Sequence, residues 1–411
     1  MGYVLSIDAG TTGVRAFVID EAGKPVDVAY REFTQYFPQP GWVEHDAWEI
    51  LEAVRATLAE VVARLDGPIA TIGITNQRET LVLWDRATGK PIRKAIVWQD
   101  RRTASMCDEL RAHEPRVRAL TGLVLDPYFS GTKLAWVAQN EGIPDGALAG
   151  TIDSWLLWHL TGGVHATDVS NASRTLLCDI GTRRWSSELC DTLGVSQELL
   201  PEIGPSSGRF GVTVEGNGAP TGIPVSGIAG DQQAALFGQA CFTPGMTKNT
   251  YGTGSFVLMN VGPDLPKPVD GLLTTVAWEL ADGAVAYALE GAIFVTGAAI
   301  QWLRDGLQII ASAPEIGPLA ASVDDTDGVF VVPAFTGLGS PWWDPYARGA
   351  IVGLTRGTTR AHIARATIEA MVLSTRDVVD AMCAAAGREV VALRVDGGAS
   401  VMDLLCQMQA D

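Results

Sequence analysis

Two glycine–threonine turns, each set between runs of strand-forming residues, constrain this chain more than any other feature. The first strand runs Val4-Leu5-Ser6-Ile7-Asp8-Ala9, turns through Gly10-Thr11-Thr12-Gly13, and returns through Val14-Arg15-Ala16-Phe17-Val18-Ile19. The second runs Thr247-Lys248-Asn249-Thr250-Tyr251, turns through Gly252-Thr253-Gly254, and returns through Ser255-Phe256-Val257-Leu258-Met259. Both have the form strand, tight turn, strand, in which Gly lets backbone N–H groups and Thr hydroxyls crowd one point. Such a turn can cradle an anion by amide donors alone. Finding it twice, far apart in one chain, points to two similar half-proteins that clamp a polyphosphate between them.

Length agrees with that division, because 411 residues exceed one ordinary core and indicate at least two domains. The net charge of −17 argues against nucleic-acid or anionic-membrane binding, which needs a basic surface. It leaves ATP open, since backbone amides and Mg²⁺ neutralise phosphates locally. The cysteines Cys107, Cys178, Cys190, Cys241, Cys383 and Cys406 are scattered with no CxxC pair, the pattern of reduced, mostly buried thiols in a cytoplasmic protein. The five histidines are equally dispersed, so the sequence shows no metal-ligand cluster. No segment reads as a signal peptide or a membrane span. Asn171-Ala172-Ser173 is a glycosylation sequon, which means nothing without secretion.

Residues 3–35 read as an antiparallel opening meander. Asp46-Ala47-Trp48-Glu49 resembles a capping box, and Leu51, Val54, Leu58, Val61, Val62 and Leu65 follow at helical spacing. Ala70 to Thr75 then reads as a buried strand, and strand and helix signals alternate through residue 240, which indicates a mixed α/β domain. Phe242-Thr243-Pro244-Gly245 marks a boundary, giving domains at 1–245 and 246–411. The second half repeats the plan: hairpin strands, helices around Ile293–Leu307 and His362–Val378, then a strand into Gly397-Gly398. The chain stops inside an apparent helix, the pattern of a second domain left incomplete.

Several residues carry candidate chemistry. Asp8 ends the first strand, where a carboxylate can hold Mg²⁺ while Thr11 and Thr12 meet phosphate oxygens; the other reading is an Asx-type turn. Arg15, just past the turn, can neutralise charge on a transferring group. Arg78 offers fixed donors and Glu79 offers acceptors, a pairing suited to neighbouring hydroxyls on a small polyol; adjacent Arg-Glu is also a common solvated surface pair. Trp98 and Tyr128 add an aromatic wall and a phenolic hydroxyl, or are ordinary core aromatics. Asp231 follows a strand of small residues and precedes a helix, so it is either an N-cap or a base for an attacking alcohol. Gly297 and Gln301 share a helix face that the missing glycine side chain would leave open to a flat ligand. Gly397-Gly398 either lets a nucleotide lie on bare backbone or is simply a tight turn.

Taken together, these stretches resemble the FGGY carbohydrate kinase family, of the actin/hexokinase/Hsp70 fold group, and within it the members that phosphorylate glycerol. The resemblance is carried most specifically by Gly41 to Asp46, Gly73 to Thr80, Asp126 to Lys133, Gly227 to Gly238, Lys248 to Gly254 and Val332 to Thr355. It implies an α/β protein of two actin-like (ribonuclease H-like) domains with a cleft between them. It implies ATP-dependent phosphorylation of glycerol to sn-glycerol 3-phosphate, the first step of glycerol breakdown, in the cytoplasm, by a chain that can form a homo-oligomer. Arg78, Glu79, Tyr128, Asp231 and Gln232 would hold glycerol, with Trp98 and Phe256 flanking its carbons. Thr11, Thr12, Gly13, Arg15, Thr253, Gly297, Gln301 and Gly398 would surround ATP. Asp231 would be the base, and Asp8 and Asp231 would serve Mg²⁺. The sequence departs from the family at Met402, where Asn is common. Gly222 replaces an Arg that accompanies fructose-1,6-bisphosphate inhibition in some members, so that regulation is not expected. Family chains also continue beyond the position of Asp411. The alternative readings are an FGGY kinase for another polyol or a ketose such as xylulose, and a non-catalytic nucleotide-binding protein of actin-like fold.

Overall fold

The computed structural model describes residues 2–344 and 346–411. They form two compact units: residues up to Ala234 with Thr275–Ala286, and Ala235–Thr274 with Tyr287–Asp411. The division therefore falls inside the helix Asp231–Gly238 rather than at the Pro244-Gly245 turn. One reason is local to the first unit. Thr275 shares hydrogen bonds with Gln233 Nε2 (3.0 Å) and with the Ser173 hydroxyl (2.8 Å), which ties a distant stretch of chain to it.

The first unit is built on a six-stranded sheet in the order Ser207–Val212, Pro224–Gly230, Ile69–Asn76, Tyr3–Ala9, Gly13–Ile19, Pro25–Glu32. The three strands in sequence from Pro224–Gly230 to Tyr3–Ala9 are parallel, and the Gly-Thr hairpin with its third strand is antiparallel, as the opening meander required. Alternation places Leu5, Ile7, Val14, Ala16, Val18, Ile72 and Ile74 in one core. The helix Ala47–Val62 covers that face with Leu51, Val54, Leu58 and Val61, each fully buried and each contributing about 1.5–3 kcal/mol. Asp46 caps it by accepting from the Trp48 N–H at 2.9 Å. The reciprocal half of a capping box is absent. Glu49 instead accepts from the Thr34 N–H and the Tyr36 hydroxyl, so its carboxylate pins the preceding chain rather than the helix end.

The second unit repeats the arrangement. In it residues 287–293 pair with the strand Ser255–Gly262, which pairs with Met246–Tyr251, and that in turn with Ala392–Gly397. Again an antiparallel Gly-Thr hairpin has a parallel strand on one side and an antiparallel strand on the other. The helix Arg360–Ala386 is longer than its sequence signal. Ala364, Ile368, Met371, Thr375, Val378 and Met382 mark its buried face at three- and four-residue steps, and Gly387 ends it in the left-handed region (φ 62°). The helix expected from Ile293 starts only at Gly297, because residues 287–293 pair along Ser255–Gly262 and belong to the sheet. Met402 packs with Leu405 and Ile316 in an apolar cluster, the role it fills in place of a polar residue.

Candidate active site

Strand register alone assembles the polar residues of the first unit. Ala9, Asn76 and Gly230 stand level at the carboxyl ends of three adjacent parallel strands. Immediately beyond them lie Gly10-Thr11-Thr12, Gln77-Arg78-Glu79 and Asp231-Gln232-Gln233. The carboxyl ends of parallel strands are where open α/β sheets bind ligands.

At the middle of the three, Arg78 and Glu79 are buried, their side chains each about 1% exposed, which excludes the solvated surface pair. Arg78 Nε lies 3.2 Å from Asp231 Oδ1 and 3.7 Å from Glu79 Oε1. Its terminal nitrogens donate to Gln233 Oε1 (3.3 Å) and the Tyr128 hydroxyl (3.4 Å). One guanidinium thus holds a carboxylate, an amide and a phenol in a fixed fork. Gly230 makes room for it, since a Cβ there would lie 2.7 Å from both Cγ and Cδ of Arg78. Glu79 sits in the left-handed region (φ 62°), an uncommon backbone for a non-glycine residue and a mark of functional sites.

Asp231 opens its helix, and its Oδ1 accepts from the Gln232 N–H (2.8 Å) as well as facing Arg78. About a third of its side chain is exposed, so the carboxylate is held by a cation yet open to a ligand, which a purely capping role does not require. Trp98 and Tyr128 meet edge to face with centroids 5.5 Å apart. Trp98 Nε1 also donates to Thr11 Oγ1 at 3.0 Å, tying the aromatic wall to the first hairpin turn. The Tyr128 loop is anchored by Lys133, which the sequence reading left without a role. Its buried ammonium donates to the carbonyls of Pro127 (2.6 Å), Tyr128 (2.6 Å) and Phe129 (3.3 Å). Burial pushes that amine down to about 7 against the pull of Glu79, Asp100 and Asp126.

At the first hairpin, Gly10 N–H closes the turn on the Gly13 carbonyl (3.0 Å) and leaves Thr12 exposed. Gly13 leaves room for the neighbouring strand, since a Cβ there would lie 2.7 Å from the Arg31 carbonyl oxygen. Burial raises the carboxyl pKa of Asp8, and Arg15, 3.4 Å away, opposes the rise. Among the described residues no group of three or more His, Cys, Asp or Glu is placed to hold a metal. Mg²⁺ is usually bound through one or two carboxylates plus substrate phosphates, so a lone half-buried Asp8 beside an amide-lined turn fits that ion.

In the second unit, Gly252 N–H closes its turn on the Gly254 carbonyl (2.8 Å), with Thr253 exposed. The helix Gly297–Asp305 starts against that turn, as Gly297 N–H donates to Gly252 O and Ala298 N–H to Thr253 O, both at 3.0 Å. A Cβ on Gly297 would lie 2.5 Å from Gly252 O. Its missing side chain therefore admits the hairpin backbone, and the open helix face expected from the sequence is filled. Gln301 is exposed one turn on. Gly398 is exposed and a side chain there would have open space around it, whereas a Cβ on Gly397 (φ 88°) would lie 2.3 Å from Tyr251 O. Phe256 is half-buried on the return strand, paired with Thr250 and Ala292.

The N-terminal domain of the FGGY family of carbohydrate kinases matches residues 3–238, and its C-terminal domain matches residues 247–411. The chain belongs to the FGGY carbohydrate kinase family. Within that family it is 56% identical to a glycerol kinase of Carboxydothermus hydrogenoformans and 53% identical to one of Thermus thermophilus. Each match covers 100% of this chain, and 84% and 85% of the relatives. Among solved structures, Plasmodium falciparum glycerol kinase with ADP superposes with a TM-score of 0.94 at 36% identity, over 100% of this chain and 84% of that one. A xylulose kinase from Rhodospirillum rubrum gives 0.87 at 26% identity over the same shares. This carbohydrate kinase accordingly has the two-domain, actin-like α/β fold that the paired hairpins implied.

Proposed function

We propose that this kinase transfers the γ-phosphoryl group of ATP to a terminal hydroxyl of glycerol, giving sn-glycerol 3-phosphate and ADP. The observation that carries the reading is the buried Arg78–Glu79 pair, joined through one guanidinium to Asp231 and Tyr128. A buried donor–acceptor pair of this kind recognises adjacent hydroxyls, and it rejects analogues that leave its groups without partners. Identity of 53–56% to glycerol kinases, against 26% to a xylulose kinase, favours the triol over a pentulose.

In this reading glycerol lies between Arg78 and Glu79, its carbons against Trp98 and Tyr128, with Gln232 beside them. Asp231, partly exposed and steadied by Arg78, accepts the proton of the attacking hydroxyl. The amides and hydroxyls of Gly10–Gly13 receive phosphate oxygens, with Arg15 adding positive charge, and Gly252–Gly254 is the corresponding element of the second unit. In the second unit the exposed Gln301 and Gly398 are the candidate contacts to the nucleotide, and Gly297 serves them by admitting the hairpin turn. Asp8 and Asp231 would hold Mg²⁺, which would supply charge neutralisation of the phosphates. Phosphoryl transfer is loose, so placement and charge outweigh base strength. Six free cysteines fit a reducing, cytoplasmic setting, and among the described residues no helix is long and apolar enough to cross a membrane.

Asp231→Asn tests the assignment. It should keep glycerol binding by calorimetry and lose phosphotransfer by ~10²-fold or more, the scale of a positioned base. Near-normal turnover removes Asp231 from the role, and faster turnover on a pentulose than on glycerol overturns the substrate.

A further inference from the structure

The left-handed backbone and buried carboxylate of Glu79 need support, and it comes from chain 95 residues away. Arg174, its side chain fully buried, donates from Nε to Glu79 Oε1 at 2.7 Å. The guanidinium is packed near the rings of Phe129 and Tyr128, 5.2 and 5.7 Å from their centroids. The residues just before it hold the neighbouring strand ends. Asn171 and Asn76 exchange two amide hydrogen bonds of 3.0 and 3.1 Å. Ser170 Oγ accepts from the Gly230 N–H at 2.9 Å, next to Asp231. The buried Asp168 carboxylate locks this short stretch by accepting from Ser170 N–H and Asn171 N–H. One sequon-like segment thus braces two of the three strand ends, those at Asn76 and Gly230.

We infer that Arg174 is a positioning residue that fixes the Glu79 carboxylate as a rigid hydrogen-bond acceptor and so sets selectivity for a substrate presenting donor hydroxyls there. The inference rests on the reading of Arg78–Glu79 as the polyol site. A carboxylate only accepts hydrogen bonds, and its direction decides which hydroxyl it meets. Without Arg174, Glu79 turns toward Arg78, 3.7 Å away, and each of the two groups meant for substrate occupies the other. Arg174 meets the pocket at the Glu79 carboxylate and beside the Tyr128 ring, and the double variant isolates the Glu79 arm.

Steady-state kinetics of Arg174→Met, Glu79→Gln and the double variant test this, with circular dichroism and melting to confirm folding. Arg174→Met should raise KM for glycerol about 10- to 100-fold, the scale of a charge-assisted hydrogen bond, and leave KM for ATP unchanged. In the Glu79→Gln background the same change should add less than about threefold, because the held carboxylate is gone. An unchanged glycerol KM, a parallel rise in both KM values, or full additivity overturns the inference. Should Arg174→Met fail to fold, Arg174→Lys carries the test, since it keeps the charge and loses the planar fork. A raised glycerol KM with normal ATP KM then supports the role, and wild-type values overturn it. A Glu79→Gln enzyme with unaltered glycerol KM removes the pocket reading itself, whereas an impaired Glu79→Gln beside a normal Arg174→Met removes only the role of Arg174.

Discussion

Gly230→Ala is the smallest change that separates the placement of Arg78 from its chemistry. The added methyl would sit 2.7 Å from both Cγ and Cδ of Arg78 and 2.9 Å from Gln233 Oε1. Carbon atoms pack at about 3.5–4.0 Å, so the arginine stem must move by about 1 Å. That stem has no easy retreat, because the side chain is buried and its nitrogens are held by Asp231, Gln233 and Tyr128. A shift of that size takes the 3.2 Å contact with Asp231 out of hydrogen-bond range. Losing a hydrogen bond to a charged group is worth about 1.5–3 kcal/mol, or roughly 10- to 100-fold in kcat/KM for glycerol. Overpacking adds about 1–3 kcal/mol of lost stability. Gly227→Ala on the same strand is the control, since its nearest neighbour, Ser206 O, is 3.9 Å away and in ordinary contact. A coupled ADP-release assay with a thermal melt reads both. A Gly230→Ala enzyme within about threefold of wild type would falsify the claim that Arg78 must stay in place, as would equal damage from Gly227→Ala.

Two further outcomes follow. Gly398→Ala has open space around its new methyl, so melting should not change and only a bound nucleotide can object; an unchanged KM for ATP would remove Gly398 from the nucleotide site. Stability should fall as pH drops from 6.5 toward 4: burial lowers His45, His159 and His165 to about 4, and between those values the unfolded chain binds more protons. Asp153, raised to about 6 by burial, works the other way over part of the range, as do the carboxyls of Asp8 and Asp168 that burial also raises, but the three histidine shifts span the whole window. A melting temperature that rises steadily on acidification through this window would contradict that ordering.

Much of this protein was written locally. The two hairpins, the helix Ala47–Val62 and the strand ends at Asn76 and Gly230 follow from side-chain period and turn chemistry, which act within a few residues. So do Asp8, Arg78, Glu79 and Asp231 as candidates, since each stands where a strand stops. Glu49 shows where local rules fail: it has the right position for a capping box, yet Thr34 and Tyr36 claim it. Gly297 is similar, because helical spacing cannot reveal that a hairpin carbonyl lies against it. Only the folded chain decided that Arg78 and Glu79 are buried rather than solvated. It alone set Arg174 behind Glu79 and Lys133 beneath Tyr128, and it made Gly230 a matter of clearance. Burial and contact between residues far apart in sequence depend on packing of the whole unit, and no short window of sequence contains that information.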